Sequence, residues 1–171
     1  MSVKCKDIMW IMEDFAPARL AEEWDNPGLN IGNPEADVNR ILIALDATEN
    51  VIDEAIEKKV DLILTHHPII FHALKKINYN DTEGRKIIKL IENRIGVYSA
   101  HTNLDAVNGG TNDVLAHILG LEDIKILAPG IEDGTGIGRI GELEEDITLG
   151  LFAVKVKEYL GLDAVRTVGN L

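Results

Sequence analysis

The chain predicts an α/β protein: a layered α/β/α sandwich on a largely parallel sheet, with a metal site at the C-terminal ends of its strands. Three observations carry that expectation. The apolar runs at residues 41–45 and 62–64 contain no polar position to mark a solvent face, the pattern of strands buried on both sides of a parallel sheet. Val51, Ile52, Ala55 and Ile56 recur between them at helical spacing, which makes the three pieces a βαβ unit with an expected right-handed crossover. Ligand-type side chains follow two strands, His66-His67 after one and His101 with Asp105 after another. Open α/β sheets carry their ligands at that rim.

Taken in order, Cys5, Ile8, Met9, Ile11, Met12 and Phe15 predict a first helix over 5–15, ended by Pro17. Residues 22–28 are turn-rich, with Asn26-Pro27-Gly28 satisfying turn chemistry and Trp24 read as a loop anchor. A short strand follows at 29–31. Residues 40–47 form the first strong strand, 49–59 a helix capped by Thr48, and 61–65 the next strand. The loop 68–77 carries Ile69, Ile70, Phe71 and Leu74, which should pack over the sheet rim. A helix over 82–93, capped at Asp81 or Thr82, should turn Ile87, Ile88, Leu90 and Ile91 inward, and 97–100 is the third strand.

Gly109-Gly110 opens a helix over 111–119 that Gly120 stops. Residues 124–127 are strand-like, and 130–141 are glycine-rich with an Asp133-Gly134 turn. Gly134, Gly136 and Gly138 do not match the dinucleotide fingerprint in spacing or in context. A strand end and helix over 147–160 and a last strand at 164–168 complete the chain. The expected organisation is a metal-binding α/β domain at 1–127, then at 128–171 the start of a second, incomplete α/β portion.

Composition narrows the partners. With 17 basic against 29 acidic residues the net charge is −12, which argues against non-specific nucleic-acid binding and against anionic membrane surfaces. The single cysteine, Cys5, allows no intrachain disulfide and is read as a small buried residue. Without a cationic leader or a bilayer-length apolar run, the expected setting is soluble and cytoplasmic.

Of five histidines, His117 is helical and is read as a surface or packing residue, while His72 sits in the loop after the paired histidines. His66, His67 and Asp105 are the expected metal ligands, and His101 the expected catalytic group or a further ligand. Adjacent residues of an extended chain point to opposite sides, so His66 and His67 should diverge and serve two ions, or one ion and a supporting contact. Asp105 supplies a carboxylate that bridges two cations in such sites, at a separation of ~3.5–4 Å.

Residues 64–68 (Leu-Thr-His-His-Pro), 99–105 (Ser-Ala-His-Thr-Asn-Leu-Asp), 109–112 (Gly-Gly-Thr-Asn) and 23–29 (Glu-Trp-Asp-Asn-Pro-Gly-Leu) together resemble the NGG-interacting-factor-three-like family. Its members are named GTP cyclohydrolase I type 2 homologues. The resemblance implies a toroidal homohexamer assembled from dimers, with a dinuclear centre of divalent ions (Zn, Fe or Mn) facing the ring interior. By position, His66, His67 and Asp105 match family metal ligands, and His101 a site-lining histidine that assists proton transfer. The activity implied is metal-dependent hydrolysis of a nucleotide-like small molecule; the other reading is a non-catalytic metal-binding scaffold. The family's further His-x-x-x-Glu motif has no match after Asp105: four residues beyond His117 stands Leu121. The chain therefore reads as a member that stops before that motif.

Overall fold

The computed structural model describes residues 2–170 and divides into two compact units, one running to Val107 and one starting at Asn108. The sequence suggested a boundary after Leu127. The earlier division has a physical reason: the helix that follows Asn108 packs on the hairpin after it.

The first unit contains α1 (Cys5–Phe15), a 3₁₀ turn (Ala18–Leu20), β1 (Gly28–Ile31), β2 (Ile41–Ala44), α2 (Glu49–Glu57), β3 (Leu62–Thr65), α3 (Thr82–Glu92), β4 (Gly96–Ser99) and the short α4 (Thr102–Ala106). Its sheet has the order β1-β4-β3-β2, with β2, β3 and β4 parallel and β1 antiparallel to β4. This is the expected α/β architecture with a mixed, mostly parallel sheet. Alternate residues of the central strands enter two clusters. Ile63 and Val97 pack with Ile52, Ala55, Ile87 and Leu90 from α2 and α3. Leu62 and Tyr98 pack with Cys5, Ile8, Met9 and Met12 from α1. Cys5 is buried, as expected, and burial pushes its thiol pKa up.

The helices begin where the sequence signals them. Thr48 accepts a hydrogen bond from the Val51 amide at the start of α2, and Asp81 accepts one from Gly84 at the start of α3. Two burial expectations are corrected. β2 is not buried on both faces: Ile43 is 79% exposed, and Ile41 and Leu45 are exposed beside it. It is the last strand of the sheet, with only its Leu42 side packed against the core. Ile91 of α3 is also exposed instead of inward, while Ile87 and Leu90 are buried.

The second unit contains α5 (Thr111–Ile118), β5 (Leu121–Pro129), β6 (Gly136–Leu143) and α6 (Leu149–Tyr159). β5 and β6 form an antiparallel hairpin around the Asp133-Gly134 turn, so the second half of the glycine-rich segment, from Gly136, is strand. Gly136 explains one of those glycines. Its φ is +150°, and a Cβ there would come within 2.2 Å of the Ala128 carbonyl oxygen. The strand expected at 164–168 is absent: the segment pairs with nothing in the described sheets. No helix is long and apolar enough to cross a membrane among the described residues.

A buried ion pair ties α5 to β6. Arg139 donates to both carboxylate oxygens of Asp113, with Nη2 at 3.0 Å from Oδ2, and also to the carbonyls of Gly136 and Gly138. The Gly109 amide donates to the same carboxylate at 2.7 Å. The Arg139 hydrogen bond holds the Asp113 carboxyl below the ordinary range; burial opposes it, and the Gly109 amide and Arg139 charge reinforce it.

Ile63→Ala, at a fully buried position, should lower stability in denaturant titrations by about 2–5 kcal/mol. Ile43→Ala should change it by less than about 0.5 kcal/mol. Asp113 has a lowered folded pKa, so its contribution is complete above the unfolded value of about 3.9 and is lost as pH falls through the folded one. Acid unfolding of Asp113→Asn followed by circular dichroism should therefore show lower stability at neutral pH and a shallower acid limb than the parent.

Candidate metal centre

The register of two central strands assembles the site. β3 and β4 run parallel with Thr65 opposite Ser99, and the pairing continues one step, the Ala100 amide donating to the Thr65 carbonyl at 2.9 Å. Both side chains at that register are buried, with Thr65 Oγ1 2.8 Å from Ser99 Oγ. Both strands end at that step, which sets His66 beside Ala100 and His101. His67 is placed from the other side, its amide donating to the Leu45 carbonyl at 3.0 Å.

One ring nitrogen from each of His66, His67 and His101 lies within 4.8 Å of the other two. The ring centroids of His66 and His67 are 5.1 Å apart, His66 and His101 also 5.1 Å, and His67 and His101 5.5 Å. The expectation that the adjacent pair diverges is corrected. Strand geometry ends at Thr65 and the chain bends at residues 66 and 67, so the strict alternation of strand side chains no longer applies.

Each of the three rings is fixed through Nδ1. His66 Nδ1 is 3.0 Å from the Ala100 carbonyl oxygen. A carbonyl only accepts, so Nδ1 of His66 carries the proton and Nε2 keeps its lone pair. His67 Nδ1 is 2.8 Å from Asp46 Oδ1, and His101 Nδ1 is 2.8 Å from Asp25 Oδ1. Protein metal sites hold their imidazoles this way, with the second nitrogen bound to a carbonyl or carboxylate that sets tautomer and ring angle. With each Nδ1 engaged, Nε2 is the nitrogen each ring has left to offer, and three imidazoles gathered this closely suit a divalent cation that accepts nitrogen ligands. The donor set fits the metal.

Asp105 arrives differently from expectation. His101 does not simply end a strand: it caps α4, and Asp105 sits one turn into that helix, its amide donating to the His101 carbonyl at 3.1 Å. This brings Asp105 Oδ2 to 3.7 Å from His66 Nε2. That spacing suits two ligands of one ion, since metal–nitrogen and metal–oxygen bonds are each about 2.0–2.2 Å. Asp105 lies beside the histidine cluster at His66.

His117 Nδ1 is 2.6 Å from the Asp113 carbonyl of its own helix, and the His72 ring meets Phe71 edge-on with centroids 4.8 Å apart.

Asp25 and Asn103 were not picked out from the sequence. The Asp25 side chain is fully buried. It accepts from His101 Nδ1, from the Thr102 amide at 3.0 Å, from the Thr102 hydroxyl, and from the Asn26 amide at 2.7 Å. Burial alone would raise its pKa; the hydrogen bonds from Thr102, His101 and the two amides outweigh that and leave it below the ordinary carboxylate value. Asn103, also fully buried, accepts from the His101 amide at 2.8 Å and donates to the Ala16 carbonyl at 2.6 Å. The available signal was Asp25 inside the Trp-Asp-Asn-Pro turn, a segment read as a turn-rich loop and as one of the family motifs, with no site role given to Asp25. Trp24 is not a buried anchor either: it is 58% exposed.

Comparison with known proteins agrees with the motifs. Residues 3–171 match the model of the family described as Duf34/NIF3 (NGG1p interacting factor 3). The chain is 49% identical over 172 residues to a Clostridium acetobutylicum protein named GTP cyclohydrolase 1 type 2 homolog; that match covers 99% of this chain and 64% of the relative. It thus spans under two thirds of that relative's length. Among solved structures, a Bacillus cereus protein related to NIF3 superposes with TM-score 0.94 at 28% identity, covering 100% of this chain and 74% of the other. A Staphylococcus aureus protein superposes with TM-score 0.91 at 31% identity, covering 98% and 68%.

Nitrogen-15 NMR should report the fixed tautomer directly. At pH 8 His66 should show a protonated Nδ1 and an unprotonated Nε2; the reverse assignment would contradict the Ala100 contact.

Proposed function

Because the chain belongs to the Duf34/NIF3 (NGG1p interacting factor 3) family, and because three imidazoles converge with their Nδ1 atoms already engaged, we propose that it is a divalent-metal-binding protein of hydrolase type. The gathering of one ring nitrogen from each of the three histidines within 4.8 Å of the others is the observation that carries the reading. His66, His67 and His101 would hold the ion, with Asp105 as a fourth, oxygen donor. Such an ion supplies Lewis acidity and an activated water for attack on a carbon or phosphorus centre.

The chain's own groups do the rest. Asp46 and Asp25 keep the proton of their partner imidazoles at Nδ1, and Asp25 with Asn103 fixes the angle of His101. His101 has two exclusive roles, because its Nε2 either binds the ion or passes a proton. The crowding of all three rings favours ligation, with proton transfer as the second reading. A dinuclear form of the centre belongs to the same proposal: Asp105 would offer its carboxylate to a second ion as well, and additional donors would come from the family's His-x-x-x-Glu motif. A nucleotide-like substrate is supported by the name of the relatives. Self-association is supported by exposed apolar residues on α1, where Trp10 is 70% exposed, and along β2.

Metal analysis with a hydrolase screen tests the proposal. The chain should bind Zn²⁺ or Mn²⁺ and show metal-dependent turnover. His66→Ala should lose both, and Asp25→Ala should weaken metal binding by about 10–100-fold. His101→Ala separates the two roles: lost metal makes it a ligand, and retained metal without turnover makes it the proton carrier. Bound metal with no turnover on any substrate would favour a non-catalytic metal-binding protein, and no uptake at all by the chain would remove the site reading.

A further inference from the structure

Beside the histidine cluster stand two aromatic side chains that touch neighbouring rings yet keep much of their surface open. Trp24 is 58% and Phe71 38% exposed, although each belongs to a segment that is firmly held. Their ring centroids are 5.8 Å apart at 58°, and each lies 6.2 Å from the His101 ring. Leaving so much aromatic surface in water forgoes the burial that normally places these residues inside.

The residues next to them explain why they stay in place. Asp25, directly after Trp24, is clamped by His101 and Thr102. Asn26 donates from its side chain to the carbonyl of Ile70, directly before Phe71, at 2.6 Å. The two aromatic-bearing loops are thus fastened to each other and to the metal-centre scaffold, while the rings themselves face outward. Two rings held open at an angle, one ring's length from the candidate ligands, form a preorganised stacking surface.

We propose that Trp24 and Phe71 bind the planar heteroaromatic ring of a small-molecule substrate, holding it by stacking beside His101. The proposal rests on the metal-centre reading for what happens next to the ring, but not for the binding itself. Stacking is tolerant of ring identity because every base has a π face. The surface therefore selects for a planar ring rather than for one base.

The test uses adenosine and guanosine 5′-monophosphate as probes, with ribose 5-phosphate as the ring-free control. The chain has two tryptophans, so Trp10→Phe leaves Trp24 as the sole reporter. Both purine compounds should quench its emission saturably and ribose 5-phosphate should not. By calorimetry, Trp24→Ala and Phe71→Ala should each weaken purine binding by about 5- to 150-fold, the worth of stacking one base. Trp24→Phe should recover most of the affinity, and metal content should be unchanged in all three variants. Absence of purine binding to the parent chain, equal binding of the ring-free control, or unchanged affinity in both alanine variants overturns the proposal. If the parent takes up no metal while purine binding follows the aromatic pair, the metal reading fails and the stacking surface stands.

Discussion

One buried carboxylate organises the candidate site. Asp25 comes from a turn near the start of the chain, yet its partners lie on the segment leaving β4 more than seventy residues later. Removing an anion from water is unfavourable unless donors replace the solvent, and four groups do so here. The contact ties the N-terminal turn to the His101 segment and orients the imidazole. Trp24, Asn26 and the start of α4 take their positions from the same junction. A substitution at Asp25 would thus disturb the loop, the helix cap and the histidine together, and these effects would not be separable by adding single changes.

The sheet and most helices were legible because they obey local rules. Apolar periodicity marked α1, α2 and α3, and Thr48 and Asp81 signalled starts that the structure confirms. β2 was legible as a strand but not as an edge. Its residues are apolar on both sides, and hydropathy cannot separate a strand covered twice from one whose second face is open. At 164–168 the residues suit a strand, but a strand exists only with a partner to pair with. The β6 segment was hidden by its glycines, which mark close backbone approach within a hairpin as readily as a loop.

The site shows the same division. His66, His67, His101 and Asp105 could be chosen because ligand-type residues after strands point to one rim. How the rings meet could not, since it depends on a bend at residues 66–67 and on hydrogen bonds that the rings donate to Asp25, Asp46 and Ala100. Asp46 had a positional signal, as it closes the β2 run. Asp25 had none of that kind: its role follows from tertiary contact with His101 and Thr102. The acidic balance acquires a local meaning as well. Two carboxylates contact the histidine rings directly and Asp105 lies close to a third, a surrounding that favours a cation.

The Nδ1 contacts of the three histidines also separate folding from metal occupancy. In a zinc finger the ion itself gathers the ligands, so a chelator unfolds the domain. Here Ala100, Asp46 and Asp25 already hold the rings, and the core around Ile52, Ile63 and Val97 packs independently of them. An ion captured at this rim meets ligands whose ordering entropy folding has already removed. Chelation would strip such a centre and leave the domain intact, ready to reload with whichever divalent metal its surroundings supply.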